Sequence, residues 1–196
     1  MENTITIEPK TALRNTQLRT PQNTFTPEQS KYSELQSLFI DLLKDMYWVE
    51  NAMLYSLDKM AENITSSTLV NYTNEHKDLT KNNIKNLAEI FTLLNETLRV
   101  KKCDTMAGLM KEADLFISTT SAGICYDAGI IILYQKMQHY KIATYGTLVA
   151  MAKVLEVDKV AMLFLEILEK DKKADAILTE IAKGLYKTIP EMMIAD

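Results

Sequence analysis

Apolar residues recur along most of the chain at alternating spacings of four and three, the spacing of a helix with one buried seam. Leu43, Met46, Met53, Leu57 and Met60 mark a first seam, and Leu69, Leu87, Ile90 and Leu94 a second. Ile131, Ile142, Tyr145, Val149 and Ala152 mark a third, and Ala161, Phe164, Leu168, Leu178, Ala182 and Leu185 a fourth. The pattern predicts long helices over residues 28–62, 66–98, 121–155 and 157–185, with a shorter helix over 104–117 in the connection between the second and third. The stretch from Glu28 to Ile189 contains no proline, as long helices require, because an interior proline costs about 3 kcal/mol. Thr26-Pro27-Glu28 reads as a helix start, with a capping threonine, proline in the first turn and an early acid, and Ser66 or Ser67 reads as the cap of the second helix.

Helices of about 30 residues are about 45 Å long, and four of them pack most economically as antiparallel neighbours, with a longer crossover where the chain must pass from end to end. The expected architecture is an all-α four-helix bundle over residues 28–186, with a short crossover helix between the second and third long helices. Residues 1–27, rich in Thr, Asn and Gln and holding three of the four prolines, read as a flexible tail, and residues 187–196 as a C-terminal extension.

Each seam turns polar near its middle. Glu50 falls on the first, Thr73, His76, Thr80 and Asn83 on the second, Gln135 and Gln138 on the third, and Asp171 and Asp175 on the fourth. Burying an unpaired carboxylate costs several kcal/mol, so three acids at one level of a core require counter-charges or bound cations. Metal ligation is one solution and a lysine–carboxylate network is another. Taken alone, any one of these residues is read more simply as a boundary position facing water, His76 as a hydrogen-bonded core histidine and His139 as a flank residue. The coincidence of four separate helices breaking their pattern at mid-length is what argues for a buried polar layer.

Composition narrows the function classes. With 47% hydrophobic and 24% charged residues in 196, the chain suits a single globular domain. A net charge of −4 offers no basic stripe to track a phosphate backbone, so nucleic acid is not an expected partner. No stretch approaches the roughly 20 apolar residues of a membrane span, and residues 1–26 lack an apolar run of signal-peptide length, so no membrane partner is expected and the cytoplasm is the expected location. Cys103 and Cys125 form no C-x-x-C pair and read as reduced, small packing residues. Trp48 and the nine tyrosines, at helical spacing, read as packing residues. There is no Gly-rich phosphate loop, Ser nucleophile elbow or H-E-x-x-H motif to support a hydrolase or nucleotide-binding reading.

Several motifs are shared with a known group. They are Leu38-Phe39-x-Asp41-x-Leu43-x-Asp45-x-Tyr47-x-x-Glu50, Glu75-His76-x-x-x-Thr80, Lys101-Lys102-Cys103-x-x-Met106-x-Gly108-Leu109, and Asp171-Lys172-x-x-Asp175-x-x-Leu178. The longest is Gln135-Lys136-x-x-His139-Tyr140-x-Ile142-Ala143-x-Tyr145-Gly146-Thr147-Leu148. Over about residues 35–183 the chain resembles the YciF-like proteins of the ferritin-like superfamily, which are bacterial and of poorly defined function. The resemblance implies a ferritin-like bundle, association into homodimers, a link with stress responses and, in many members, a two-metal site of glutamates with histidine or glutamine.

The chain departs from that pattern at informative positions. Relatives commonly show Glu-His-Tyr-Glu where this chain has Gln138-His139-Tyr140-Lys141, and an acid beside Thr80, which here is flanked by Leu79 and Lys81. Carried over by position, Glu50 and Asp171 remain ligand-like, and His76, Gln138 and Asp175 complete the candidate metal set, with iron or manganese as the expected ion if a metal is bound. A di-iron centre of this kind uses about four carboxylates with histidine support, and the E-x-x-H motif is missing. The preferred expectation is therefore a degenerate, non-catalytic or weakly metal-binding site with no resident cofactor, in which Lys141 or Lys81 replaces the metal's charge. The alternatives are a dimetal oxidase or peroxidase-like enzyme and a helical interaction module.

Overall fold

The computed structural model describes residues 27–193, so the expected N-terminal tail and the Thr26 cap lie outside the described residues. Five helices follow in order: α1 (Pro27–Ala61), α2 (Ser67–Leu93), α3 (Asp104–Thr119), α4 (Ile124–Val154) and α5 (Asp158–Met193). All five correspond to expected helices, and the all-α architecture is the expected one.

Two helix ends differ from expectation. α2 stops at Leu93 rather than near residue 98, because Asn95 takes a left-handed conformation (φ 53°) that ends the helix. Its N–H and that of Glu96 then bond back to the carbonyls of Thr92 and Phe91, 3.1 and 2.9 Å away, satisfying the last orphan acceptors. Glu156 (φ 57°) closes α4 by the same device, its N–H reaching Lys153 and that of Val157 reaching Ala152. α5, in contrast, continues through the residues read as a C-terminal extension to Met193. Hydrophobic periodicity reports where a helix packs, and it fades at Leu185 although the backbone keeps its helical course.

The four long helices form a ring of neighbours, α1 against α2 and α4, and α5 against α2 and α4, with α3 laid over α1 and α4. At one end the Tyr126 hydroxyl donates to the Met60 carbonyl at 3.2 Å, so α4 begins where α1 finishes. At the other, the Tyr32 hydroxyl donates to the Leu155 carbonyl at 3.2 Å. The chain must therefore travel the length of the bundle between α2 and α4, and α3, about 24 Å long, covers most of that distance. The buried Asp127 on the first turn of α4 anchors the start of α2, accepting from the backbone N–H groups of Thr65 (2.9 Å) and Ser66 (2.8 Å) and from the Thr65 hydroxyl (2.7 Å). Cys103 is buried as expected and caps α3, its sulfur accepting from the Met106 N–H, whereas Cys125 is exposed because it sits at the outer face of the first turn of α4. No helix among the described residues is long and apolar enough to cross a membrane.

α3 is seated by a close approach. The Phe116 ring lies so near Gly129 of α4 that a Cβ there would meet its Cζ at 1.9 Å. Gly129→Ala is thus expected to lower stability by about 1–3 kcal/mol through overpacking. Gly146→Ala, which would meet nothing within 4 Å, should be neutral or gain up to about 1 kcal/mol from helix propensity. Urea denaturation of the two variants side by side checks this, and equal midpoints would contradict the packing of α3.

Candidate functional site

The polar layer sits where the four seams converge. Glu50, Asn83, Gln138, Lys141 and Asp171 are all at 0% exposure, and His76 is at 2%. On α4 the spacing of Gln138, Lys141 and Tyr145 points all three into the bundle, and Tyr145, read from sequence as simple packing, donates a 2.6 Å hydrogen bond to Glu50 Oε1. From α2, Asn83 Nδ2 lies 3.2 Å from the same oxygen and 3.5 Å from Asp171 Oδ1. Gln138 Nε2 donates to the backbone carbonyl of Asp171 at 3.0 Å.

At the centre is the Lys141 ammonium. Its Nζ is 3.1 Å from Glu50 Oε2 and 3.3 Å from Asp171 Oδ2, so one cation bridges acids from α1 and α5. The expected seam of α4 ran through Gln135 and Ile142, which are only half-buried. α4 packs on three neighbours rather than two, so its inward face is wide and reaches Lys141. Gln135 instead bonds the Thr179 hydroxyl at 3.0 Å, between α4 and α5.

One ammonium faces two carboxylates, and the electrostatics reflect that imbalance. Burial drives the Lys141 ammonium down, but Asp171 and Glu50 together more than offset this and hold it above the ordinary lysine value. Burial pushes the Glu50 carboxyl up, against the pull of Lys141; the Asp171 charge adds to the rise, while the Tyr145 hydroxyl lowers it. Glu50 thus takes up a proton more readily than an ordinary glutamate does.

The remaining candidates divide. His76 sits between the Tyr72 and Tyr134 rings, with Nδ1 3.1 Å from the Tyr72 hydroxyl and Nε2 without a hydrogen-bond partner. Burial, and then the Lys141 charge, lowers its pKa to about 3. Asp175 lies at the edge, 3.0 Å from the exposed His139, because one turn beyond Asp171 α5 has rotated it away from the centre. Lys81 is 56% exposed and pairs with Asp78 at 2.9 Å, on the outer face of α2. The layer therefore brings together Glu50, Gln138, Asp171 and Lys141, keeps His76 beside them, and leaves Asp175 and Lys81 outside.

Tested against the two-metal centre implied by the resemblance, these residues do not fit. The facing oxygens of Glu50 and Asp171 are both engaged by Lys141, and among the described residues no three His, Cys, Asp or Glu side chains converge to hold a metal ion. Asn83 and Gln138 use their amide nitrogens within the layer.

The depressed His76 imposes a pH dependence. An unfolded histidine takes up a proton near pH 6.5, whereas His76 in the folded chain does so only near pH 3. Its stabilising contribution is complete above pH 6.5 and is lost as pH falls towards 3, at up to about 1.4 kcal/mol per unit. The difference in stability between the wild type and His76→Phe, measured by urea denaturation from pH 7 to pH 4, should shrink on acidification by that slope. A pH-independent difference would contradict burial of the imidazole as a neutral group.

Fold and layer together define the class: an all-α bundle of four long helices closed around an internal, charge-paired polar cluster. Within it, the chain belongs to the family described as Domain of unknown function (DUF892), whose model matches residues 34–189. It is 34% identical over 150 residues to protein YciF of Escherichia coli (strain K12), spanning 76% of this chain and 90% of YciF. The crystal structure of the E. coli stress protein YciF matches with a TM-score of 0.75 at 32% identity, over 78% of this chain and 97% of that one. YcfI of Rhodopseudomonas palustris matches with a TM-score of 0.72 at 28% identity, over 82% of this chain and 97% of that one. A protein of Xanthomonas campestris pv. campestris shares the fold at 18% identity, with a TM-score of 0.64. The YciF-like resemblance read from the motifs is thereby established.

Proposed function

We propose that this chain is a stress-associated, ferritin-like bundle that carries its own fixed cation in place of metal ions and performs no redox chemistry at mid-bundle. The observation that supports this is the position of Lys141 Nζ, 3.1 Å from Glu50 and 3.3 Å from Asp171 at zero exposure. A buried carboxylate pair demands positive charge, and an ammonium held covalently at the right place meets that demand without a dissociable ion. The stress association rests on the relative described as the E. coli stress protein YciF. We further infer a homodimer working in the cytoplasm.

Elemental analysis of protein purified without chelator tests the reading. Iron and manganese should both be far below one per chain, and metal supplied in excess should be removed by gel filtration. Near-stoichiometric iron or manganese would overturn it, and would favour the oxidase alternative, for which metal-dependent peroxide consumption should then collapse in Glu50→Ala.

A further inference from the structure

The Lys141 cluster holds the parts of a condensation reaction as well as those of an ion pair. Lys141 Nζ lies 3.3 Å from each of the two Asp171 carboxyl oxygens, which sets it against the carboxyl carbon between them. That is close to the separation of about 3–3.5 Å at which held groups react. Lys141, Glu50 and Asp171 are all at 0% exposure, so bulk water, which drives an amide back to acid and amine, is kept out.

The neighbouring groups supply what such a reaction needs. Glu50 Oε2, 3.1 Å from Nζ, and Asp171 Oδ2 are both buried without a hydrogen-bond partner, so each is open to exchange protons with the Lys141 nitrogen. The Tyr145 hydroxyl at 2.6 Å and the Asn83 amide at 3.2 Å hold the other Glu50 oxygen, which keeps Oε2 turned to Nζ. The same amide lies 3.5 Å from Asp171 Oδ1, where it steadies negative charge that develops on that oxygen. Gln138 donates to the Asp171 backbone carbonyl at 3.0 Å and so holds this turn of α5 against α4.

We propose that Lys141 and Asp171 condense into an internal isopeptide bond, with Glu50 as the proton carrier, tying α4 to α5 across the middle of the bundle. The ammonium first passes a proton to Asp171 Oδ2, leaving a neutral amine beside a neutral carboxylic acid. The amine lone pair then attacks Asp171 Cγ, and the carbonyl π electrons move onto Oδ1, beside the Asn83 amide. Glu50 Oε2 takes a proton from the nitrogen and hands it to the Oδ2 hydroxyl. The carbonyl re-forms at Oδ1, the Cγ–Oδ2 bond breaks and one water leaves. Ammonium and carboxylate thus become amide and water, and Glu50 ends as the carboxylate it began as, with no oxidant or metal consumed. Because Asp171 and Glu50 hold the ammonium above the ordinary lysine value, the amine is scarce and the bond forms slowly, so new protein carries the ion pair and aged protein the amide. The modification presupposes the metal-free cluster proposed above.

Intact-mass spectrometry of the full chain, fresh and after a week at 37 °C, tests the bond. Most aged chains should be lighter by one water molecule. Trypsin should then skip Lys141 and release peptide 137–153 with Asp171-Lys172 joined to it as a branch. Glu50→Gln, checked for folding by circular dichroism, should slow the linkage by about a hundredfold or more, as expected for loss of a general acid–base group. Lys141→Arg keeps the positive charge but cannot condense, and should lose no water. An unchanged mass in aged wild type would overturn the proposal. So would water loss that persists in Lys141→Arg, or that hydroxylamine reverses, the mark of a backbone succinimide at Asp171. Near-stoichiometric iron or manganese would sink the metal-free reading itself, whereas metal-free protein that stays unlinked would sink the bond alone.

Discussion

Lys141→Met should lower the stability of the bundle by about 3–5 kcal/mol, the usual consequence of removing one partner from a buried ion pair. For a chain of this size that corresponds to a fall in Tm of roughly 6–20 °C. Methionine matches the lysine stem in length and fills the same space, so the loss reports the charge rather than a cavity. Glu50 and Asp171 would then face each other at zero exposure with only the Tyr145 hydroxyl and the Asn83 amide to stabilise them. The penalty should be smaller at acidic pH, where a carboxyl of the pair takes up a proton, and should grow as pH rises. Adding Glu50→Gln and Asp171→Asn to Lys141→Met removes the orphaned charges and should recover most of the loss, since neutral replacements of buried ion pairs are often tolerated or stabilising. An unchanged Tm in Lys141→Met would mean that the ammonium does not hold the two acids.

Lys141→Glu should have the larger effect and a different remedy. It places a third carboxylate among Glu50 and Asp171, the acid that the YciF-like resemblance leads one to expect at this position. Without divalent cations this variant should be largely unfolded, because three desolvated like charges cost far more than one unpaired partner. Manganese(II) at a hundredfold excess over its Kd should return about 2.7 kcal/mol by mass action, visible as a concentration-dependent rise in Tm. The wild type should show no such rise. A wild type stabilised by manganese as strongly as Lys141→Glu would indicate that the native cluster already serves as a metal site.

How much of this was legible in the sequence follows from what periodicity can report. Glu50, His76, Thr80, Asn83 and Asp171 could be placed in the core because each keeps the four-and-three spacing set by the apolar residues before and after it, on a helix with one inward stripe. α4 defeated that reading, since a helix packed on three neighbours has no single stripe, and Gln135 and Ile142 were given the place that Lys141 shares with Gln138. Lysine is almost never fully buried, so only the loss of an acid at the same position pointed to it. Lys81 offered the same clue, yet faces solvent. Asp175 misled by its spacing of four from Asp171, which carries it round α5 towards His139. The hydrogen bond of Tyr145 to Glu50 and the anchoring of α2 by Asp127 link residues 95 and 61 or 62 positions apart, and nothing in a local pattern encodes such meetings. The end of α2 at Asn95 was hidden, because the residue is not the glycine that usually signals a left-handed cap, whereas the break at Glu156 fell between the helices expected over 121–155 and 157–185.

The most direct test of the Lys141 assignment is anomalous diffraction at the iron and manganese edges, from crystals of untreated protein grown without chelator. The account predicts continuous density for the Lys141 side chain reaching between Glu50 and Asp171, with no anomalous peak in that layer. An anomalous peak between the two carboxylates, with the lysine turned aside, would contradict it.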